Sequence, residues 1–253
     1  MHIFLTNDDG IQAKGIHLLM EVASKRGHQV TVCAPKHQQS AASQKITLDN
    51  PIFVESYPTT LENVTAFSID GTPTDCVRVG LNELVESPVD IIVSGINYGL
   101  NLGMAVHYSG TFGAAREGSL NNIHAIASSA HAKTDDATLL KFANHVIDVA
   151  QRYFETPQHE QCVININCPK HSDCFEREVV YAKLSERPYT GEYIKSNSPR
   201  RGAHYWLDKD NGMYEVPANS DEDYVRRGYI TYTLIGNPVS YEQEKLDELK
   251  LWK

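Results

Sequence analysis

Met1-His2-Ile3-Phe4-Leu5-Thr6-Asn7-Asp8-Asp9-Gly10 is the stretch that decides how this chain is read. Ile3, Phe4 and Leu5 make a short apolar run, the pattern of a strand buried on both faces of a parallel sheet. The run ends in two adjacent carboxylates and a glycine. Side chains just past the C-terminal edge of a strand are where open α/β sheets do their chemistry. Two neighbouring negative charges there are costly unless something positive joins them. A divalent cation with hard oxygen ligands, Mg²⁺ or Mn²⁺, meets that need. The plainer reading is that the two aspartates cap the next helix and shape a turn.

Outward from this stretch, strand and helix signals alternate. Ile16, Leu19, Met20 and Ala23 follow helical spacing and Gly27 is a stop. Val30 to Ala34 reads as the second strand, followed by a polar loop from Lys36 to Ser43, with weaker strand candidates at Ile46 to Val54 and Ala66 to Ile69. Thr72-Pro73-Thr74-Asp75 is a helix start, because Thr caps, Pro fits the first helical position and Asp suits the positive end of the dipole. Further strands are expected at Val89 to Ser94, His124 to Ser129 and Val163 to Asn167, with a long amphipathic helix from Leu139 to Tyr153. This alternation implies an α/β fold, Rossmann-like, with a mainly parallel sheet flanked by helices. The late part differs. His204 to Asp208 and Met213 to Val216 flank Asp210-Asn211-Gly212 as a hairpin, Tyr229 to Ile235 is a strand and Glu242 to Leu251 a terminal helix. The expected organisation is one domain over residues 1–253 with an oligomerisation arm at roughly 195–253. The β-rich late part suits such an arm or an antiparallel flank of the main sheet.

At 253 residues, 41% of them hydrophobic, the chain is long enough for one large core. A formal net charge of −9 argues against polymeric nucleic acid and anionic membrane as partners. Small phosphorylated substrates stay open, since a bound metal reverses the local field. No apolar stretch is long enough to span a bilayer, and no leader-like segment precedes the first strand. Cys33, Cys76, Cys162, Cys168 and Cys174 include no Cys-x-x-Cys, which suggests reduced thiols in a cytoplasmic protein. The phosphate-loop, dinucleotide and nucleophile-elbow signatures are absent, as is a His-Glu-x-x-His zinc motif.

Three polar strand exits remain: Asn7-Asp8-Asp9, Ser40 with Ser43, and Ser94-Gly95-Ile96-Asn97. Parallel topology brings all three to one sheet edge. Asp8, Asp9, Ser40 and Asn97 would form an all-oxygen ligand set of charge −2, which balances one divalent ion per subunit. Taken singly, Ser40 reads as a loop serine and Asn97 as a turn residue. Downstream, Tyr108-Ser109-Gly110-Thr111 opens a small-residue helix whose start would bind phosphate, or would simply be capped by Ser109 or Thr111.

Together these segments resemble the SurE family, stationary-phase survival proteins that act as metal-dependent 5′/3′-nucleotidases. The resemblance rests on Asn7-Asp8-Asp9-Gly10, Ala34-Pro35 with Ser40-x-x-Ser43, Gly71-Thr72-Pro73-Thr74-Asp75-Cys76-Val77, Ser94-Gly95-Ile96-Asn97 with Gly99-x-Asn101-Leu102-Gly103, and Tyr108-Ser109-Gly110-Thr111 with Ala114-Ala115-x-Glu117-Gly118. Weaker echoes follow at Asn165-Ile166-Asn167, Pro199-Arg200, Tyr205-Trp206 and Gly228-Tyr229. The resemblance implies one Mg²⁺ or Mn²⁺ on Asp8, Asp9, Ser40 and Asn97. It implies phosphate release from nucleoside monophosphates, sometimes with short polyphosphate as a further substrate, and a homodimer or homotetramer built partly by arm exchange. On this reading Asp8, Asp9 and Asn97 are catalytic, and Asn101, Ser109, Gly110 and Thr111 stabilise the phosphoryl oxygens. Lys14, Ala41, Tyr98 and Leu100 depart from the family pattern, where Pro, Gly, a small residue and Pro are usual. Two rivals stand beside it: Asp8 as a covalent nucleophile, and a nucleotide-binding stress protein without turnover.

Overall fold

The structure, a computed structural model, describes residues 1–156, 161–188, 191–208 and 215–236. The first half runs β1 (His2–Thr6), α1 (Lys14–Lys25), β2 (Gln29–Pro35), β3 (Phe53–Ser56), β4 (Val64–Asp70), α2 (Pro73–Val79), β5 (Ile91–Tyr98) and α3 (Gly110–Leu120). The second half adds β6 (His124–Ala130), α4 (Asp136–Phe154), β7 (Cys162–Cys168), β8 (Val180–Tyr181), β9 (Glu192–Ser198), β10 (Gly202–Asp208), α5 (Asp221–Arg226) and β11 (Thr231–Gly236).

β1 shows why the chain folds this way. Successive side chains on a strand point to opposite faces, and both faces here are covered. Ile3 and Leu5 pack with Ile16 and Leu19 of α1 and with Phe142 and Val146 of α4. Phe4 lies in the other layer with Cys76 and Val77 of α2. A third cluster seats Phe112 and Ala115 of α3 on Ala125, Ala127 and Val163. Helices therefore cover both faces of a nine-stranded sheet in the order β3-β4-β2-β1-β5-β6-β7-β11-β8. The strands from β4 to β7 are parallel, while β3 pairs antiparallel with β4 and β11 antiparallel with β7.

The strand order fixes the site. The chain winds from β1 outward to β2 and β4, then returns to place β5, β6 and β7 on the other side of β1. The gap between β1 and β5 is thus the switch point at which such sheets bind ligands, beyond the carboxyl ends of the strands.

The α/β, mainly parallel fold expected from the sequence is present, and a C-terminal antiparallel hairpin accompanies it. Its register is not the expected one. β10 pairs back with β9, His204 opposite Ser196 and Trp206 opposite Ile194, across a turn at Pro199-Arg200-Arg201. This nearer turn closes the ladder first. Glu215 and Val216 are in no strand. Asp210-Asn211-Gly212 with Met213, and the terminal helix expected over Glu242 to Leu251, lie outside the described residues. The candidate strand at Ile46 to Val54 is likewise displaced, to Phe53–Ser56. Thr47 gives its backbone N–H and its hydroxyl to Asp75, which removes it from any ladder. In the late β-rich part, β9 and β10 form a separate two-stranded sheet, and β11 joins the main sheet as the antiparallel flank considered for it.

Candidate functional site at the β1–β5 switch point

The turn after β1 is clamped by Asn7, which is fully buried. Its amide nitrogen donates to the Gly10 carbonyl at 2.9 Å, and its oxygen accepts the Gly10 N–H at 3.1 Å. This loop therefore has one shape, and Asp8 and Asp9 leave it in fixed directions. Asp8 is 4% exposed. Its Oδ1 accepts the Thr111 hydroxyl at 2.5 Å. Burial pushes its carboxyl up to about 6, against the pull of the Thr111 hydroxyl and with the neighbouring Asp9 charge adding to the rise. Asp9 is more open. Its Oδ1 accepts from Gln38 at 3.2 Å and its Oδ2 accepts the Tyr98 N–H at 2.8 Å.

These bonds draw the other candidates in. The Gln39 N–H donates to the Asp8 carbonyl at 2.7 Å, which sets the loop carrying Ser40 beside β1. That loop is pinned further on: Ser43 donates its N–H to the Tyr108 carbonyl at 3.1 Å and its hydroxyl to the His107 carbonyl at 2.7 Å. Gln44 reaches Glu117 at 2.8 Å, and Arg78 pairs with the same Glu117 at 2.7 Å. Asn97 ends β5 with its Nδ2 committed to the Gly99 carbonyl at 2.7 Å, so Oδ1 is the amide atom left to serve as a ligand. The Tyr98 N–H on Asp9 holds this strand end against the β1 loop. Gly110 sits so close to Asp8 that a Cβ there would approach Asp8 Cβ at 2.9 Å. Asp8, Asp9, Asn97, Gly110 and Thr111 are thus tied to one another by contacts of their own or of the next residue, and Ser40 by its neighbour Gln39.

Ser109 caps α3, its oxygen accepting the Phe112 N–H at 3.1 Å. The first N–H groups of a helix have no carbonyl partner inside it, and its dipole favours negative charge there. The start of α3 is therefore an anion-favouring end placed against Asp8. Asn101 has a different position. Its Nδ2 donates to Ser129 at 2.8 Å, its N–H to Asn167 at 2.9 Å, and its carbonyl accepts from Asn165 and Asn167. It anchors the loop to β6 and β7.

The donor set suits a hard divalent ion. Among the described residues neither Asp8 nor Asp9 has a Lys, Arg or His ion partner, so the pair's charge is uncompensated by protein. The Ser40 hydroxyl, on an exposed residue, makes no hydrogen bond with the described residues. Two carboxylates, one amide oxygen and one hydroxyl are oxygen ligands of the Mg²⁺ and Mn²⁺ type. No group of three or more His, Cys, Asp or Glu able to hold a metal occurs among the described residues.

Several supporting residues escape a reading of the sequence alone. Gln38 has no motif signal, and Asn7, though it opens the motif after β1, carries no local sign that it clamps Gly10. Asp221, fully buried at the start of α5, accepts N–H bonds from Gly103 and from Ser185, both at 2.8 Å, and so fixes the turn that leads to Ser109. Asn165 and Asn167 do leave a trace: two polar residues alternate in an otherwise apolar strand, both wholly buried.

Comparison with known proteins gives the chain a family. The family model described as survival protein SurE matches residues 3–191. The chain belongs to the SurE family. A relative named 5′-nucleotidase SurE from Synechococcus sp. (strain JA-3-3Ab) is 37% identical over 238 residues, covering 92% of this chain and 90% of its own. The protein of the same name from Carboxydothermus hydrogenoformans is 35% identical, covering 100% of this chain and 96% of its own. The crystal structure of the SurE protein from Aquifex aeolicus superposes with a TM-score of 0.79 at 26% identity, over 99% of this chain and 98% of that one. All the proposed ligands fall within the matched residues 3–191, and the match ends where the hairpin begins.

Proposed function

We propose that this chain is a 5′-nucleotidase that hydrolyses nucleoside 5′-monophosphates, and 3′-monophosphates as well, with one divalent metal ion held by Asp8, Asp9, Ser40 and Asn97. The chain is a phosphoric monoester hydrolase. The observation that carries this reading is the pair Asp8 and Asp9, uncompensated by protein cations, set against the start of α3 at the sheet's switch point. Curated relatives of full-length similarity carry the name 5′-nucleotidase.

When bound, Mg²⁺ or Mn²⁺ supplies Lewis acidity toward a phosphoryl oxygen and makes a water more acidic. The chain's own residues do the rest. Asp8 and Asp9 provide the negative charge that retains the ion, and the Thr111 hydroxyl holds the Asp8 carboxylate in one rotamer. Asn97 offers Oδ1 because Gly99 occupies its nitrogen. Gly110 and Thr111 lie at the first turn of α3, whose dipole favours the phosphoryl oxygens as charge redistributes. Asn101 keeps the connecting loop rigid through Ser129, Asn165 and Asn167. Short polyphosphate, a further substrate on this reading, presents the same terminal phosphoryl group.

The proposal extends to assembly and location. The apolar residues exposed on the hairpin, Tyr193, Ile194, Tyr205 and Trp206, support a homodimer or homotetramer in which this arm meets another copy. Five buried cysteines without a disulfide support a reducing, cytoplasmic setting.

The test is phosphate release from a panel of nucleoside 5′- and 3′-monophosphates, with Mg²⁺, with Mn²⁺ and with chelator. Metal-dependent release is expected. Release that survives chelator would overturn the metal role. Nucleotide binding without release would favour a binding protein, and a trapped phosphoenzyme would favour Asp8 as nucleophile.

A further inference from the structure

Tyr98 sits directly after the ligand candidate Asn97, and no hydrogen bond or ring contact among the described residues uses its side chain. The residue is 72% exposed. Its hydroxyl makes no hydrogen bond and its ring meets no other aromatic ring among the described residues. Its backbone is the opposite case. The N–H is bound to Asp9 Oδ2 at 2.8 Å, Tyr98 is in register with Ala130 of β6, and the next N–H, of Gly99, donates to the Ala130 carbonyl at 2.9 Å. A backbone held at three points thus carries a largely exposed aromatic ring beside Asp9. Large apolar rings usually contribute by burial, so one left in water beside polar ligands points to recognition. A tyrosine has only two side-chain torsions, so little freedom is lost when a flat partner covers it.

We infer that the Tyr98 ring is the stacking platform for the nucleobase of the substrate. This rests on the nucleotidase reading above and names the residue that separates nucleotides from other phosphomonoesters. The ribose of a nucleotide spaces its base from its phosphate much as the tyrosine side chain spaces its ring from the backbone that touches Asp9. A phosphate seated at the start of α3 and the ligand cluster would therefore leave the base near the rim where Tyr98 stands. Stacking takes any base, because every base has a π-face. A neutral base is also not repelled by the chain's net negative charge of −9. Tyr108, 52% exposed and on the segment leading into α3, is another aromatic residue on this side, and its carbonyl accepts the Ser43 N–H.

The test measures adenosine binding by equilibrium dialysis, a readout independent of turnover, for the wild type and for Tyr98→Ala, Tyr98→Phe and Tyr108→Ala. It is paired with KM for AMP and for ribose 5-phosphate. Tyr98→Ala is expected to weaken adenosine binding and raise KM for AMP by about tenfold, the scale of one lost base–aromatic stack. KM for ribose 5-phosphate should stay unchanged, and Tyr98→Phe should keep wild-type values. Undiminished adenosine binding in Tyr98→Ala, a loss confined to Tyr108→Ala, or an equal rise in both KM values would overturn the platform. A wild type that does not bind adenosine would overturn it too. Adenosine binding lost in Tyr98→Ala, in a protein that releases no phosphate, would uphold the platform while refuting hydrolysis.

Discussion

The C-terminal edge of the main sheet and the β9–β10 hairpin spend their residues in opposite ways. At the sheet edge polar groups are tied, and most are buried: Asn7 on Gly10, Thr111 on Asp8, Asn101 on Ser129, with the half-buried Asn97 on Gly99. On the hairpin apolar groups stand in solvent, with Tyr193 68% and Trp206 65% exposed. Buried polar groups are costly unless they are bonded, so the edge tolerates little change. Exposed apolar groups cost little until a partner covers them, so the hairpin should tolerate much. The family model stops at the border between the two regions, after residue 191.

The sharpest way to break this contrast is at Gly95, in the bulge that carries β5 toward Asn97. Its φ is +138°, and a Cβ would lie 2.3 Å from both the Ser128 carbonyl oxygen and the Ser128 Oγ. Gly95→Ala is expected to destabilise the protein by about 3 kcal/mol or more, since strain at a special backbone conformation and overpacking act together. It should also remove phosphate release. Chemical denaturation beside the activity assay checks both, and a near wild-type midpoint would show that this edge is softer than described.

The hairpin is expected to give a contrasting result. Tyr193→Ser with Trp206→Ser should change the stability of the single subunit by no more than about 0.5 kcal/mol, because both side chains stand in solvent on it. It should shift the assembly toward smaller species in light scattering. A large loss of stability with no change in assembly would mean that the hairpin belongs to the core of its own subunit.

A modest effect of the opposite sign to that at Gly95 is expected at Ala41, beside Ser40. Its φ of +59° is left-handed, a conformation that costs a residue with a Cβ roughly 1–2 kcal/mol. Glycine relieves that strain but loses more freedom on folding. Ala41→Gly should therefore stabilise by about 0.5–1 kcal/mol, read as a small rise in the denaturation midpoint. Destabilisation would show that the loop is better held by alanine.

The same contrast explains what was legible in the sequence. β1, α1 and α2 announce themselves locally, through Ile3-Phe4-Leu5, the helical spacing of Ile16 to Ala23 and the cap Thr72 with Asp75, which the structure closes into a reciprocal capping box. Parallel topology then gathers the exits of β1, β2 and β5 at one edge without further information. Hairpin register depends on which turn closes first, and Pro199-Arg200-Arg201 lacks the strong signature that made Asp210-Asn211-Gly212 attractive. The support given by Asp221 to Gly103 spans more than a hundred residues and follows no period, so no local pattern carries it.

The central claim is that Asp8 and Asp9 form the anionic half of a metal site. It is tested most directly by titrating Mn²⁺ into the folded protein in a calorimeter, for the wild type and for Asp9→Asn. One ion per subunit in the wild type, with affinity reduced at least tenfold in a variant of unchanged circular dichroism, is the predicted result. Equal Mn²⁺ binding by both proteins would contradict it and move the metal, and with it the chemistry, away from the β1–β5 edge.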